Sequence, residues 1–69
     1  MGSSVYKVIE LVGTSPSSWE DAAKQAIEAA AKSLRGMRVG EITQQDVKVE
    51  DGKVVAYRTR VSISFKYEL

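Results

Sequence analysis

The sequence predicts an α+β fold of order β-α-β-β, in which a three-stranded antiparallel sheet partly wraps one amphipathic helix. Three observations predict it. A short run rich in Val, Ile, Tyr and Leu opens the chain, a single stretch carries apolar residues at helical spacing, and an Asp-Gly pair separates two long segments of strand character. With 69 residues this is one domain, 1–69, of which Met1 to Ser3 read as disordered or as a cloning remnant outside the fold.

The first strand is placed at Ser4 to Val12, "SVYKVIELV", where β-formers dominate and only two charges intervene. "GTSPSS", Gly13 to Ser18, is a cluster of turn formers, and its tail Ser17-Ser18-Trp19-Glu20 offers a capping box. The spacing then predicts a helix from near Ser18. Trp19, Ala22, Ala23, Ala26, Ile27, Ala30 and Leu34 recur at three and four, with Lys24, Gln25, Glu28 and Lys32 on the opposite side. Glu20 with Lys24 and Glu28 with Lys32 are favourable i, i+4 pairs, and Gly36 is placed as the residue that ends the helix.

Arg38 to Val49 is expected as the second strand, and Asp51-Gly52 suits a two-residue type I′ hairpin. The third strand alternates, with Val55, Tyr57, Thr59, Val61, Ile63, Phe65 and Tyr67 on one face and Ala56, Arg58, Arg60, Ser62, Ser64 and Lys66 on the other. Four of the seven stripe positions of the helix are Ala, so the core within one chain is thin. A chain this short buries a small share of its surface, and with no Cys and no His neither disulfides nor the commonest zinc chemistry can reinforce it. Self-association is the remaining route.

Ten basic and nine acidic residues are scattered along the chain, giving a net charge of +1. No basic block marks a nucleic-acid or membrane-surface binder, and no 18-residue apolar run or leader pattern is seen, so a soluble cytoplasmic protein with neither partner is expected. Without His or Cys no Ser-His or Cys-His nucleophile pair can form, and the chain reads as a non-enzyme.

Taken together, "VYKVIELVGTSPSSWEDAAKQAI" and "VEDGKVVAYRTRVSISFKYEL" resemble a dodecin, most specifically in "VYK", in "ELVGTSP" from Glu10 to Pro16, and in the "DGKV…Y…V…F" pattern from Asp51 to Phe65. The resemblance runs from Val5 to about Glu68. It implies the β-α-β-β fold and a hollow spherical homododecamer that stores or sequesters a small molecule or ion. In flavin-binding members a Trp-Phe-Glu run opens the second strand, its Trp stacks on the isoalloxazine, and a Gln on the third strand lies against the ligand stack. Here Val39 stands at the Trp position, Gly40 at the Phe position, Glu41 keeps the acid, and Arg58 replaces the Gln. The flavin site is therefore degenerate, because Val offers no flat polarisable face and Arg58 adds a charge that needs a partner.

The resemblance is to the subgroup that lacks this Trp, for which bound calcium has been proposed. No calcium loop motif exists within one chain, but one acid per copy makes a ring of three on a threefold axis, with Asp46 or Glu41 as the candidate ligand. Two alternatives stay open. One is weak storage of riboflavin or FMN, and the other is coenzyme A held through Lys7 and Lys66, as the resemblance to coenzyme A-binding members suggests.

The plainer readings are structural. Trp19 is expected to pack against the sheet, and Tyr6, Tyr57 and Tyr67 to act as β-formers. Arg58 and Arg60 are expected to pair across the hairpin with a polar face holding Gln44, Asp46 and Lys48 at the parity of Arg38. Phosphate at the "GTSPSS" turn is disfavoured, since its serines are committed to turn and cap.

Overall fold

A computed structural model describes residues 4–66 and gives β1 (Tyr6–Ser15), α1 (Trp19–Ala31), β2 (Met37–Glu50) and β3 (Lys53–Lys66). The expectations for Met1 to Ser3 and for Tyr67 lie outside the described residues. The sheet order is β1-β3-β2 with both pairings antiparallel, so the clean alternation of β3 is that of a central strand. Its odd residues turn to the helix, where Thr59, Val61 and Ile63 are buried, and its even residues turn to the opposite, outer face.

β1 runs three residues past the expected end at Val12. The turn formers Gly13 to Ser15 remain extended because the helix lies directly on them. A Cβ on Gly13 would stand 2.0 Å from the Ala22 carbonyl oxygen, so the backbone is held at a separation only glycine permits. Ser15 is buried, donating its hydroxyl to Asp21 Oδ2 (2.7 Å) and accepting from the Ser17 N–H (2.9 Å). Ser18 is the N-cap and accepts from the Asp21 N–H at 3.0 Å. The helix starts near Ser18 as expected, but the cap is Ser18 and not the Ser17 of the expected Ser17–Glu20 box, and the third helical residue, Asp21, turns its carboxylate to Ser15 instead of closing a box.

The helix is shorter than its apolar periodicity. It ends at Ala31 with Lys32 as C-cap, and the N–H groups of Ser33 and Leu34 close onto the Ala30 carbonyl. Leu34 then packs against the core from a turn rather than from the helix. Gly36, at φ +76°, redirects the chain into β2, and its carbonyl accepts from the Lys66 N–H at 3.2 Å. Its left-handed backbone terminates the turn, not the helix.

Ala22, Ala23, Ala26 and Ala30 form the buried face of α1. Ala23, Ala26 and Ala30 cluster with Val61 and Ile63, and Ile9, Leu11, Ile27, Leu34, Met37 and Phe65 close around them. The small face lets the helix sit close to the sheet, chiefly over β1 and β3. Much of β2 is left uncovered, and Ile42, on the helix side, is 48% exposed. Asp51 and Gly52 have φ of 52° and 74°, the two positive values a type I′ turn requires. Beyond the helix the β2–β3 hairpin projects as an arm, giving a molecule 55 Å long and 14 Å thin with Val49, Val54 and Val55 exposed. Among the described residues no helix is long and apolar enough to cross a membrane.

Candidate functional site

The outer face of the sheet carries the chemistry. Three irregularities interrupt the pairing of β2 with β3, and the one between Ile42 and Gln44 absorbs an extra residue of β2, Thr43. Across it the parity of the strand changes: Val39 and Glu41 pair with Ser64 and Ser62, and Gln44, Asp46 and Lys48 pair with Arg60, Arg58 and Ala56, all with even residues of β3. Without the bulge, Val39 and Glu41 would face the helix while Gln44 and Asp46 faced outwards. With it, all four side chains share the outer face.

Arg58 and Asp46 are directly opposite and form a two-pronged ion pair, with Nε donating to Oδ1 at 2.6 Å and Nη2 to Oδ2 at 2.8 Å. This is the cross-hairpin pairing expected from the sequence. The hydrogen bonds from Arg58 hold the Asp46 carboxyl below its ordinary value, working against partial desolvation, and the charges of Arg58 and Arg60 add to the lowering. Arg60, two residues on, has a looser partner in Glu10 of β1, Nη1 to Oε1 at 3.6 Å. Val12, Gln44, Asp46, Arg58 and Arg60 line a depression of about 160 Å³. Behind it, on the helix side, Trp19 donates Nε1–H to the Asp46 carbonyl at 3.0 Å and meets Tyr57 edge-on at 5.1 Å. Trp19 and Tyr57 are thus packing residues, as expected, and the indole also fixes the backbone that presents Asp46.

Val39 is 58% exposed on the outer face, but it sits opposite Ser64, six residues along β3 from Arg58. At about 3.3 Å per residue this is roughly 20 Å, so one chain does not bring together the two positions at which the resemblance puts the flavin contacts. Gly40 faces the helix, where a Cβ would stand 2.9 Å from Ile27 Cδ1. Ile27 therefore fills the space over the position at which the resemblance puts a Phe. Lys7 pairs with Phe65 on the helix side, whereas Lys66 pairs with Tyr6 on the outer side, so these two cations lie on opposite faces.

Of the metal candidates, Asp46 has both oxygens on Arg58, and Glu41 is exposed with no ion-pair partner among the described residues. Among those residues no group of three carboxylates gathers within the chain.

The family model described as dodecin matches residues 5–68. The calcium dodecin of Mycobacterium tuberculosis is 44% identical over 63 residues, covering 91% of this chain and 89% of that protein. A crystal structure of that relative, described as a calcium-chelating immunodominant antigen with a novel calcium-binding site, superposes with a TM-score of 0.82 at 45% identity, covering 94% of this chain and 93% of that one. A dodecin from Streptomyces coelicolor superposes with a TM-score of 0.92 at 33% identity over 100% of this chain and 99% of the other. Element order, sheet topology and sequence agree along nearly the whole chain, and the protein belongs to the dodecin family.

Proposed function

We propose that this dodecin is a non-catalytic binding protein, a closed homododecamer that sequesters a hard cation, calcium first, and has lost the flavin mode of binding. The observation that carries the reading is the start of β2: where a stacking ring would be needed the outer face offers Val39, and beside it Glu41 presents a carboxylate with no cationic partner among the described residues. Likeness to a calcium dodecin over nine-tenths of the chain supports the choice of ion. Three copies of Glu41 around a symmetry axis, completed by water, supply the oxygen ligands such an ion takes. Asp46 is the second choice, because it must first release Arg58.

Coenzyme A held by Lys7 and Lys66 would need the two lysines from different copies, and no observation favours it. Native mass spectrometry with calcium titration calorimetry tests the proposal. Twelve subunits with calcium adducts are expected, and chelation should lower the melting temperature, as removal of a ligand bound only by the folded assembly must. Glu41→Gln should abolish the binding heat and Asp46→Asn should leave it. A folded monomer, or an assembly whose melting does not respond to chelator, overturns the reading.

A further inference from the structure

We propose that Asp51, at the tip of the hairpin arm, is a site of spontaneous backbone modification, converting to isoaspartate through a cyclic imide with Gly52, and that the turn holds the reaction in check until the arm tip opens. The chain has three aspartates and no asparagine. Asp21 is followed by Ala22 inside α1, and Asp46 by Val47 inside β2 with its carboxylate held by Arg58. Asp51 alone is followed by glycine, and among the described residues its carboxylate makes no hydrogen bond or ion pair. Gly52 has no side chain to hinder approach to its nitrogen, and its surroundings are open, with nothing within 4 Å of where a Cβ would stand.

The Gly52 nitrogen attacks Cγ of the protonated Asp51 carboxyl. A C–N bond forms, and the carboxyl hydroxyl leaves with the amide proton as water. Water then re-enters the imide at either carbonyl. Addition at the Asp51 backbone carbonyl breaks the original peptide C–N bond and leaves the chain running through Cγ, as isoaspartate, whereas addition at Cγ restores aspartate. Ring closure needs the Gly52 nitrogen on the same side as the Asp51 Cβ. Asp51 and Gly52 have φ of 52° and 74°, and a type I′ turn of this kind sets ψ of its first residue at about +30°, which turns the nitrogen away from the side chain. The folded turn is therefore a lock. It rests on little, because the pairing shifts between Lys48 and Val49 and only the Val49–Val54 and Glu50–Lys53 rungs lie between that irregularity and the turn, all four residues being exposed. Such an end opens at far lower cost than the whole fold.

The test is warm incubation of the assembled protein and of the guanidinium-unfolded chain at the same neutral pH, with isoaspartate located by electron-transfer fragmentation in a mass spectrometer. Conversion is expected at Asp51 in both states, with none at Asp21 or Asp46 in the folded protein, and at least about tenfold faster in the unfolded chain, where the turn no longer protects it. Val54→Gly removes a strand former from the rung beside the turn and leaves the reacting pair in place. It should speed conversion of the folded protein about threefold and leave the unfolded rate unchanged. Absence of isoaspartate at Asp51 in the folded protein while the unfolded chain converts, equal rates in the two states, or no gain in Val54→Gly overturns the assignment.

Discussion

At the scale of single residues, the Asp46–Arg58 pair sets how the outer face responds to acid. Hydrogen bonds from Arg58 favour the ionised carboxylate, so Asp46 in the folded protein titrates below the unfolded value of 3.8. A depressed carboxyl contributes stability that is fully present above its unfolded pKa and is lost as the pH falls through the folded pKa. The window therefore lies below about pH 4, and neutral conditions leave the pair intact. Arg58→Gln should bring the Asp46 carboxyl back up towards its ordinary value and remove this share of the acid sensitivity. Carbon NMR of the Asp46 carboxyl across an acid titration checks it. An unchanged midpoint in the variant would show that the pair is absent in solution.

At the scale of elements, the seating of α1 on the sheet rests on two glycines of different kinds. Gly13 meets the backbone carbonyl of Ala22 at a distance no Cβ can occupy, and neither strand nor helix can yield without losing hydrogen bonds. Gly40 meets only the end of the Ile27 side chain, which can change rotamer. Gly13→Ala is expected to cost about 3 kcal/mol or more, or to prevent folding, whereas Gly40→Ala should stay within about 1 kcal/mol. Urea unfolding of the two variants gives the comparison, and equal losses would mean that the helix does not rest on β1 as closely as the structure places it. At the N-terminal end of the helix, Trp19 ties α1 to both long strands at once, through its indole N–H to Asp46 and through its carbonyl, which accepts from the buried Thr59 hydroxyl at 3.0 Å.

At the scale of the whole molecule, the single chain is unfinished. Val5, Tyr6, Val8, Val12, Val39, Ile42, Val49, Val54 and Val55 are all exposed, and the hairpin arm carries three of them beyond the reach of the helix. The proposed assembly would bury this surface against further copies. Val39 and Arg58 lie roughly 20 Å apart along the sheet and can meet one flavin only across a boundary between copies. Val39→Trp with Arg58→Gln should restore riboflavin binding more than the sum of the single variants, each regained ring contact contributing about 0.5–1.5 kcal/mol. Quenching of riboflavin fluorescence measures it. If the double variant assembles and quenches no more than the parent, the cause lies elsewhere, and Ile27 over Gly40 becomes the next position to change.

The sequence by itself determined the element order, the hairpin, the approximate start of the helix and the buried face of β3, because each depends on local chemistry: a period of two or of 3.6, an Asp-Gly pair, a serine before an apolar run. That the polar faces of β2 and β3 would form ion pairs across the hairpin was legible for the same reason, but not that Arg58 alone takes Asp46 while Arg60 turns to Glu10 of β1. What local pattern could not show is anything set by contact between elements. β1 continues through Gly13 to Ser15 because Ala22 lies against it, and the helix stops at Ala31 although the apolar spacing runs on to Leu34. Lys7 and Lys66 fall on opposite faces because β1 pairs with β3 in a register that neither strand encodes alone. Above all, the bulge at Thr43 places Val39 and Glu41 on the same face as Gln44 and Asp46. A strand read in isolation keeps its alternation, and only pairing with β3 decides where a residue is left over and which side chains meet.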